Sequence, residues 1–277
     1  MEILNLIDSA IAEDIGDGDH TSLSCIPADA IGKAQLLVKQ PGILAGMEIA
    51  KMVFNRIDKD LIFNPILNDG DKIEIGDIAF TIEGNNQSIL KAERIVLNFM
   101  QRMSGIATKT NYFVSLIDKY PAKILDTRKT TPGLRLIEKM AVKIGGGENH
   151  RMGLYDMIMI KDNHIDFAGG IKKAIEKTNH YLLENKLDLK IEIEARNLSE
   201  LDEILSIGNI HRIMLDNLSF DDLRTAVAKI NGKYETEASG GINEHTISDY
   251  AACGVDFISV GALTHQINSL DLSLKAI

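Results

Sequence analysis

Between residues 123 and 262 the chain repeats one pattern six times: a short apolar run, then a stretch with helical spacing. The runs are KILDT (123–127), MIMIK (157–161), KIEIEA (190–195), RIMLDN (212–217), YETEASG (234–240) and DFISVGA (256–262). Near-continuous apolar strands that alternate with helices predict a parallel sheet covered by helices, because parallel neighbours need long crossovers. Six candidates instead of eight predict an incomplete α/β barrel. YETEAS is the weakest of the six, being polar at alternate positions.

The first hundred residues read differently. Residues 3–13 form a predicted helix with Ile3, Leu4, Ile7 and Ile11 on one face. AQLLVK (34–39) reads as a strand, followed by the turn residues PGILAG. NDGDKIEIGDIAFTIEGNN reads as strands separated by glycine-containing turns. From Gln87 to Ile117 the spacing is helical and long, with Arg102 near its middle.

The C-terminal ends of the six later strands deliver chemistry in order: Thr127-Arg128-Lys129, Lys161, Glu194, Asp216, Ser239-Gly240-Gly241 and Gly261. In a parallel barrel that rim is where side chains from different strands converge on a ligand. The run Leu125–His164 also holds seven Lys/Arg against five Asp/Glu, in a chain whose net charge is -10. A basic island in an acidic protein points to a small anion, since the overall charge repels nucleic acid and anionic membrane.

Arg128, Arg151 and Arg102 can clamp carboxylates through paired hydrogen bonds, and Lys129 and Lys161 suit phosphate oxygens as point charges. His150 follows Gly145-Gly146-Gly147 and precedes Arg151, which gives it a ligand role; His164 organises its own loop. Gly240-Gly241-Ile242 and Gly261-Ala262 stand where barrels hold a phosphate on backbone N–H groups, or else are two ordinary strand-to-helix turns; Asn243 or Glu244 is expected to cap the next helix. Glu194 and Asp216 can bind ribose hydroxyls, hold Mg²⁺ or stabilise a cationic transition state, or else are buried or capping carboxylates. Glu192 is expected to face the helices or make a structural ion pair. Arg135, Lys139 and Lys143 read as a solvent-facing helix stripe.

No Walker A, GxGxxG, GxSxG or HExxH motif occurs, which removes support for nucleotide hydrolysis, dinucleotide redox chemistry and triad hydrolysis. Only Cys25 and Cys253 are present, without CxxC spacing, so neither a disulfide framework nor a zinc site is expected and a reducing cytoplasm fits. The acidic start MEILNLIDSAIAEDIG lacks the features of a signal peptide, and no apolar run is long enough to span a bilayer.

These residues closely resemble the quinolinate phosphoribosyltransferase family, of the type II phosphoribosyltransferases. The likeness runs through AEDIGDGDHTS, GILAG, LNFMQRMSGIAT, DTRKTTPGLRLIEKMAVKIGGGENHRMGLYDMIMIKDNH, EIEARNLSEL, IMLDN, EASGGIN and GVDFISVGALTH. It implies an N-terminal α/β sandwich domain (1–110, with residues 266–277 free to pack on it) and an open α/β barrel (111–265). It implies a decarboxylating transfer of phosphoribosyl from phosphoribosyl pyrophosphate (PRPP) to quinolinate, with Mg²⁺ accompanying PRPP and no organic cofactor. The quinolinate pocket would comprise Arg128, His150, Arg151 and Lys161, with Arg102 reaching in from the second chain of a homodimer; higher assembly stays open. The PRPP side would use Lys129, Glu194, Asp216, Ser239, Gly240, Gly261 and His265. Catalysis would fall to Lys129, Lys161, Glu194 and Asp216. Two rivals stand beside this reading: a molybdenum-operon paralogue using another acceptor, and an anion-binding module without catalysis.

Overall fold

The computed structural model describes residues 3–277 and divides into two compact units. One unit comprises the described residues to Asn111, together with Thr130–Gly146 and Leu263–Ile277; the other comprises Tyr112–Lys129 and Gly147–Ala262. The chain thus leaves the second unit after Lys129 and returns to it at Gly147.

The first unit is built on the strands β1 (Ile31–Val38), β2 (Gly42–Ile43), β3 (Ile62–Pro65), β4 (Lys72–Ile73) and β5 (Ile78–Asn85). β1 lies between β5 and the terminal strand Leu272–Ala276, antiparallel to both, and β3 pairs β5 on its other side. Leu36 and Val38 of β1 and Phe80 and Ile82 of β5 are buried, as alternation on one sheet face requires. Phe80 stacks with Phe63 at 4.6 Å and meets Phe54 edge-on at 5.8 Å, which seats the helix Met47–Ile57. The first helix runs Ile3–Ile15, but Leu4 is exposed and only Ile7 is fully buried, so its apolar face is narrower than the spacing predicts.

The predicted long helix is Asn86–Ser115. Its Gly105 is required by close packing: a Cβ there would overlap the backbone of Asn268. The helix Arg135–Ile144 corrects the solvent-stripe expectation. Lys143 is exposed, yet Lys139 is fully buried beside Ile137, Glu138, Ala141 and Val142. Residues at i, i+4 and i+8 stay within about 80° of one another on a helix, so the spacing marks a stripe without fixing whether solvent or the core covers it.

The second unit holds all six predicted parallel strands: β6 (Lys123–Leu125), β7 (Ile158–Ile160), β8 (Ile191–Ala195), β9 (Arg212–Asp216), β10 (Glu235–Ser239) and β11 (Phe257–Ser259), in the order β6-β11-β10-β9-β8-β7. Every pairing is parallel. The sheet stays open between β6 and β7, apart from one isolated bridge of Leu125 with Glu148. Helices connect the strands, and two are capped as their sequences dictate. Asn197 accepts from Glu200 N at 2.9 Å, and Ser219 Oγ accepts from Asp222 N at 3.2 Å.

Candidate active site

Strand register explains where the chemistry lies. Glu192 is level with Arg212, and Arg212 with Glu235; Met214 is level with Glu194 and Glu237; Asp216 is level with Ser239. These positions share one parity, hence one face of the sheet. Ile191, Ile193, Ile213, Leu215, Thr236 and Ala238 take the other face and are buried. The second unit therefore has one mostly apolar face and one lined by carboxylates and arginine. This corrects the expectation that Glu192 turns toward the helices: two residues from Glu194, it must share that residue's face, and there it accepts a hydrogen bond from His150 Nε2 in place of a structural ion pair.

At the end of β6, Asp126 is fully buried and holds the returning chain. Its Oδ1 accepts from His150 N at 2.8 Å and its Oδ2 from Asn149 Nδ2 at 2.6 Å. Asp126 carried no predicted role, although its place at a strand end beside Thr127-Arg128-Lys129 was the available signal. Held this way, His150 extends to Glu192 Oε2 at 2.9 Å and Glu237 Oε2 at 3.3 Å through Nε2, while Nδ1 accepts from Arg151 N at 2.7 Å. Arg212 Nη1 closes the cluster on Glu237 Oε2 at 3.2 Å, with its other nitrogens on Glu235.

Burial opposes a second proton on His150, but the hydrogen bonds it donates to Glu192 and Glu237 outweigh burial and push the ring up to about 9. Geometry leaves that proton no place on the ring, because Nδ1 already faces the Arg151 N–H. Burial, reinforced by Glu237, pushes the Glu192 carboxyl up. The hydrogen-bond network thus assigns His150 as the neutral Nε2–H tautomer.

Arg151 points its Nη1 at Met157 O, 3.1 Å away. Burial, then the positive charge of Arg128, lowers its pKa. Two guanidiniums held close enough to repel form a site for an anion. Arg128 and Lys129 are exposed on the loop after β6. Lys161 follows β7 and lies 3.5 Å from Glu194 Oε1, and Glu194 Oε2 accepts from Asp162 N at 3.0 Å. His164 organises this loop by accepting from Lys161 N at 3.0 Å. Asp216 is fixed by Ser239 Oγ at 2.6 Å and Asn217 Nδ2 at 2.7 Å.

Gly240 and Gly241 both have positive φ, +103° and +60°, a backbone that residues with a Cβ rarely adopt. A side chain at Gly240 would overlap Asn217. The next helix starts only at Ile247, so this turn has no helix terminus directly behind it. Asn243 shapes the turn through His245 N, 3.0 Å from its Oδ1, and gives the helix no side-chain cap; that expectation is corrected.

Arg102 and His265 belong to the other unit. Arg102 is clamped by Glu138 Oε1, 2.9 Å from Nε and 2.5 Å from Nη2, and by Thr131 Oγ1 at 2.6 Å. His265 is exposed at the end of the short helix Ala262–His265. Hard oxygen donors suit Mg²⁺, and Glu194 and Asp216 supply them. Among the described residues, however, the only cluster of three ligating groups is His150, Glu192 and Glu237, so these two carboxylates fit a cation that brings other ligands with it.

Residues 19–104 match the family model "Quinolinate phosphoribosyl transferase, N-terminal domain" and residues 106–275 its C-terminal counterpart. A quinolinate phosphoribosyltransferase (decarboxylating) 1b from Nicotiana tabacum is 47% identical, over 99% of this chain and 82% of the relative. A probable nicotinate-nucleotide pyrophosphorylase (carboxylating) from Bacillus subtilis is 40% identical, over 99% and 93%. The crystal structure of NadC from Streptococcus pyogenes superposes with a TM-score of 0.94 at 37% identity, covering 99% of this chain and 97% of that one.

Proposed function

This chain belongs to the quinolinate phosphoribosyltransferase family, and from that premise we propose how its residues divide the reaction. The enzyme transfers the phosphoribosyl group of PRPP to quinolinate and releases pyrophosphate and CO₂, giving nicotinate mononucleotide for NAD biosynthesis. The observation that carries the assignment of residues is the parallel sheet, whose strand ends set Lys161, Glu194, Asp216 and Ser239 side by side, with Arg128-Lys129 and His150-Arg151 on the segments that leave and re-enter the same unit.

In this reading Arg128, Arg151 and Lys161 take the two carboxylates of quinolinate, His150 stands behind Arg151, and Arg102 completes the pocket from the partner chain of a homodimer. Lys129, the Gly240-Gly241 turn, Ser239, Gly261 and His265 take PRPP. Glu194 and Asp216 would hold the Mg²⁺ that accompanies PRPP, and the cation would offset charge on the leaving pyrophosphate. The pyridine nitrogen forms the bond to the ribose anomeric carbon as the bond to pyrophosphate breaks. Positive charge grows on the ribose, and the fixed carboxylates of Glu194 and Asp216 favour it. The product nitrogen is cationic. When the adjacent carboxylate leaves as CO₂, the electron pair stays on the ring carbon beside that charge and a proton replaces the lost group. No organic electron sink is required. Rigid orientation of both carboxylates supplies up to about 7–11 kcal/mol in well-aligned reactions.

The test is direct: purified protein, Mg²⁺, PRPP and quinolinate must yield the mononucleotide, and quinolinate binding without turnover would favour the anion-binding module. Site sharing has its own test. Mixed Arg102→Ala and Lys161→Ala subunits should recover activity, because one hybrid site in two is intact; verified heterodimers with no recovery would refute sharing. No helix of the described residues is long and apolar enough to cross a membrane. We place the enzyme in the cytoplasm on its cysteine usage, with Cys25 and Cys253 both unpaired as disulfides. Plant relatives named as mitochondrial or chloroplastic occupy other compartments.

A further inference from the structure

Behind His150 lies a buried cluster of Glu192, Glu237 and Arg212 that has no part in the scheme above, yet it is costly. Glu192 Oε1 and Glu237 Oε1 are buried without a hydrogen-bond partner. Apolar side chains would fill that space more cheaply than orphaned carboxylate oxygens. The cluster needs a reason other than stability.

Both ring nitrogens of His150 are taken by the protein. The ring has none left for a substrate carboxylate. What it holds instead is the backbone of Arg151. We propose that Glu192 and Glu237 are positioning residues for the diacid: acting through His150, fixed as the Nε2–H tautomer, they set the Arg151 backbone and so the aim of its guanidinium. This rests on the assignment of Arg151 to quinolinate made above.

The alternatives fail on geometry. An Nδ1–H tautomer would point its hydrogen at the Arg151 N–H, and its bare Nε2 would face two carboxylates. Only the Nε2–H form satisfies both sides. The support is continuous from the sheet outward. Arg212 holds Glu237, Glu237 and Glu192 hold Nε2, Nδ1 holds the Arg151 amide, and Met157 O holds the guanidinium. Asp126 fixes the other side of the ring's own backbone. His150 Nε2 and the carboxylates also lie within 4.8 Å of one another, as metal ligands would. Arg212 beside Glu237 makes that a poor place for a dication.

The test compares wild type, Glu192→Ala, Glu192→Gln and Arg151→Ala for kcat and both KM values, with circular dichroism to follow folding. Glu192→Ala should raise KM for quinolinate about 10- to 100-fold, the loss seen when the support behind a liganding histidine is removed. KM for PRPP should move by less than about twofold, since only diacid binding is disturbed. Glu192→Gln, which keeps an oxygen for Nε2–H, should recover most of the loss. A wild-type KM for quinolinate in folded Glu192→Ala, or equal changes in both KM values, overturns the proposal. Should Glu192→Ala not fold, ¹⁵N NMR of the wild type decides. His150 is the one buried histidine of seven, so its ring is identified by resistance to a soluble paramagnetic agent. A neutral Nε2–H ring is expected; a doubly protonated or Nδ1–H ring overturns the proposal. So does one tightly held metal per chain that Glu192→Gln abolishes. If Arg151→Ala keeps a wild-type KM for quinolinate, the earlier assignment falls; if Arg151→Ala loses binding while Glu192→Ala does not, only this proposal falls.

Discussion

Arg151→Ala is expected to lower kcat/KM for quinolinate by roughly 30- to 5,000-fold, the equivalent of about 2–5 kcal/mol for truncating one partner of a buried charge pair. The residue is partly desolvated, fixed by Met157 O and already strained by Arg128, so it has little freedom to be replaced by water. Removing it leaves one substrate carboxylate without its partner inside the site. The same argument works from the substrate side. Nicotinate has one carboxylate fewer, so the wild-type enzyme should turn it over more slowly by a factor of similar size. The two losses should not add: once Arg151 is gone, deleting a substrate carboxylate that it held costs little more. Steady-state kinetics of both enzymes with both acids measures this coupling directly. Equal turnover of nicotinate and quinolinate by the wild type would mean that the arginines face something other than the diacid.

The sequence shows the barrel because its apolar residues alternate with helices at short intervals, and that pattern depends only on burial of the helix-covered face. Ile160, Ile191 and Ile193, Ile213 and Leu215 mark it well. The opposite face is harder to read. YETEAS looks like a poor strand because Glu237 and Ser239 are polar on that face and Thr236 on the other, yet it is a central strand of the sheet. Each of those residues bonds to a neighbour distant in sequence: Thr236 to Asp256, Glu237 to Arg212, Ser239 to Asp216. Hydrophobic patterning cannot represent such pairs. Lys139 escapes for a related reason, since its burial depends on what packs over its helix. The chemistry at the strand ends was more visible because it sits in consecutive residues, Arg128-Lys129, His150-Arg151 and Gly240-Gly241. The division of labour within it was not. His150 stands beside Arg151 in the sequence exactly as a second ligand would, and only the direction of its two nitrogens shows what it holds.

Arg212→Ala should be the most destabilising single change in the second unit, at about 3–5 kcal/mol, because it leaves the carboxylate of Glu237 buried without its cation. Arg212 is only 11% exposed at its side chain, Glu237 is fully buried, and the guanidinium also lies 4.1 Å above the ring of Phe257. The Glu192–Glu237 carboxyl pair would then carry negative charge with no cation against it. A loss of that size should lower the apparent Tm by roughly 6–20 °C, at about 2–4 °C per kcal/mol for a domain of this size. The decisive comparison is the double variant Arg212→Met with Glu237→Gln. It removes both charges, keeps the volume and leaves an amide oxygen to accept from His150 Nε2. If the penalty of Arg212→Ala comes from a stranded carboxylate, the double variant should melt close to wild type. If the penalty comes from lost packing over Phe257, Arg212→Met alone should already restore it. Thermal unfolding of the three proteins, followed by circular dichroism, separates charge from packing; a Tm for Arg212→Ala within a degree of wild type would show that the buried carboxylate needs no cation.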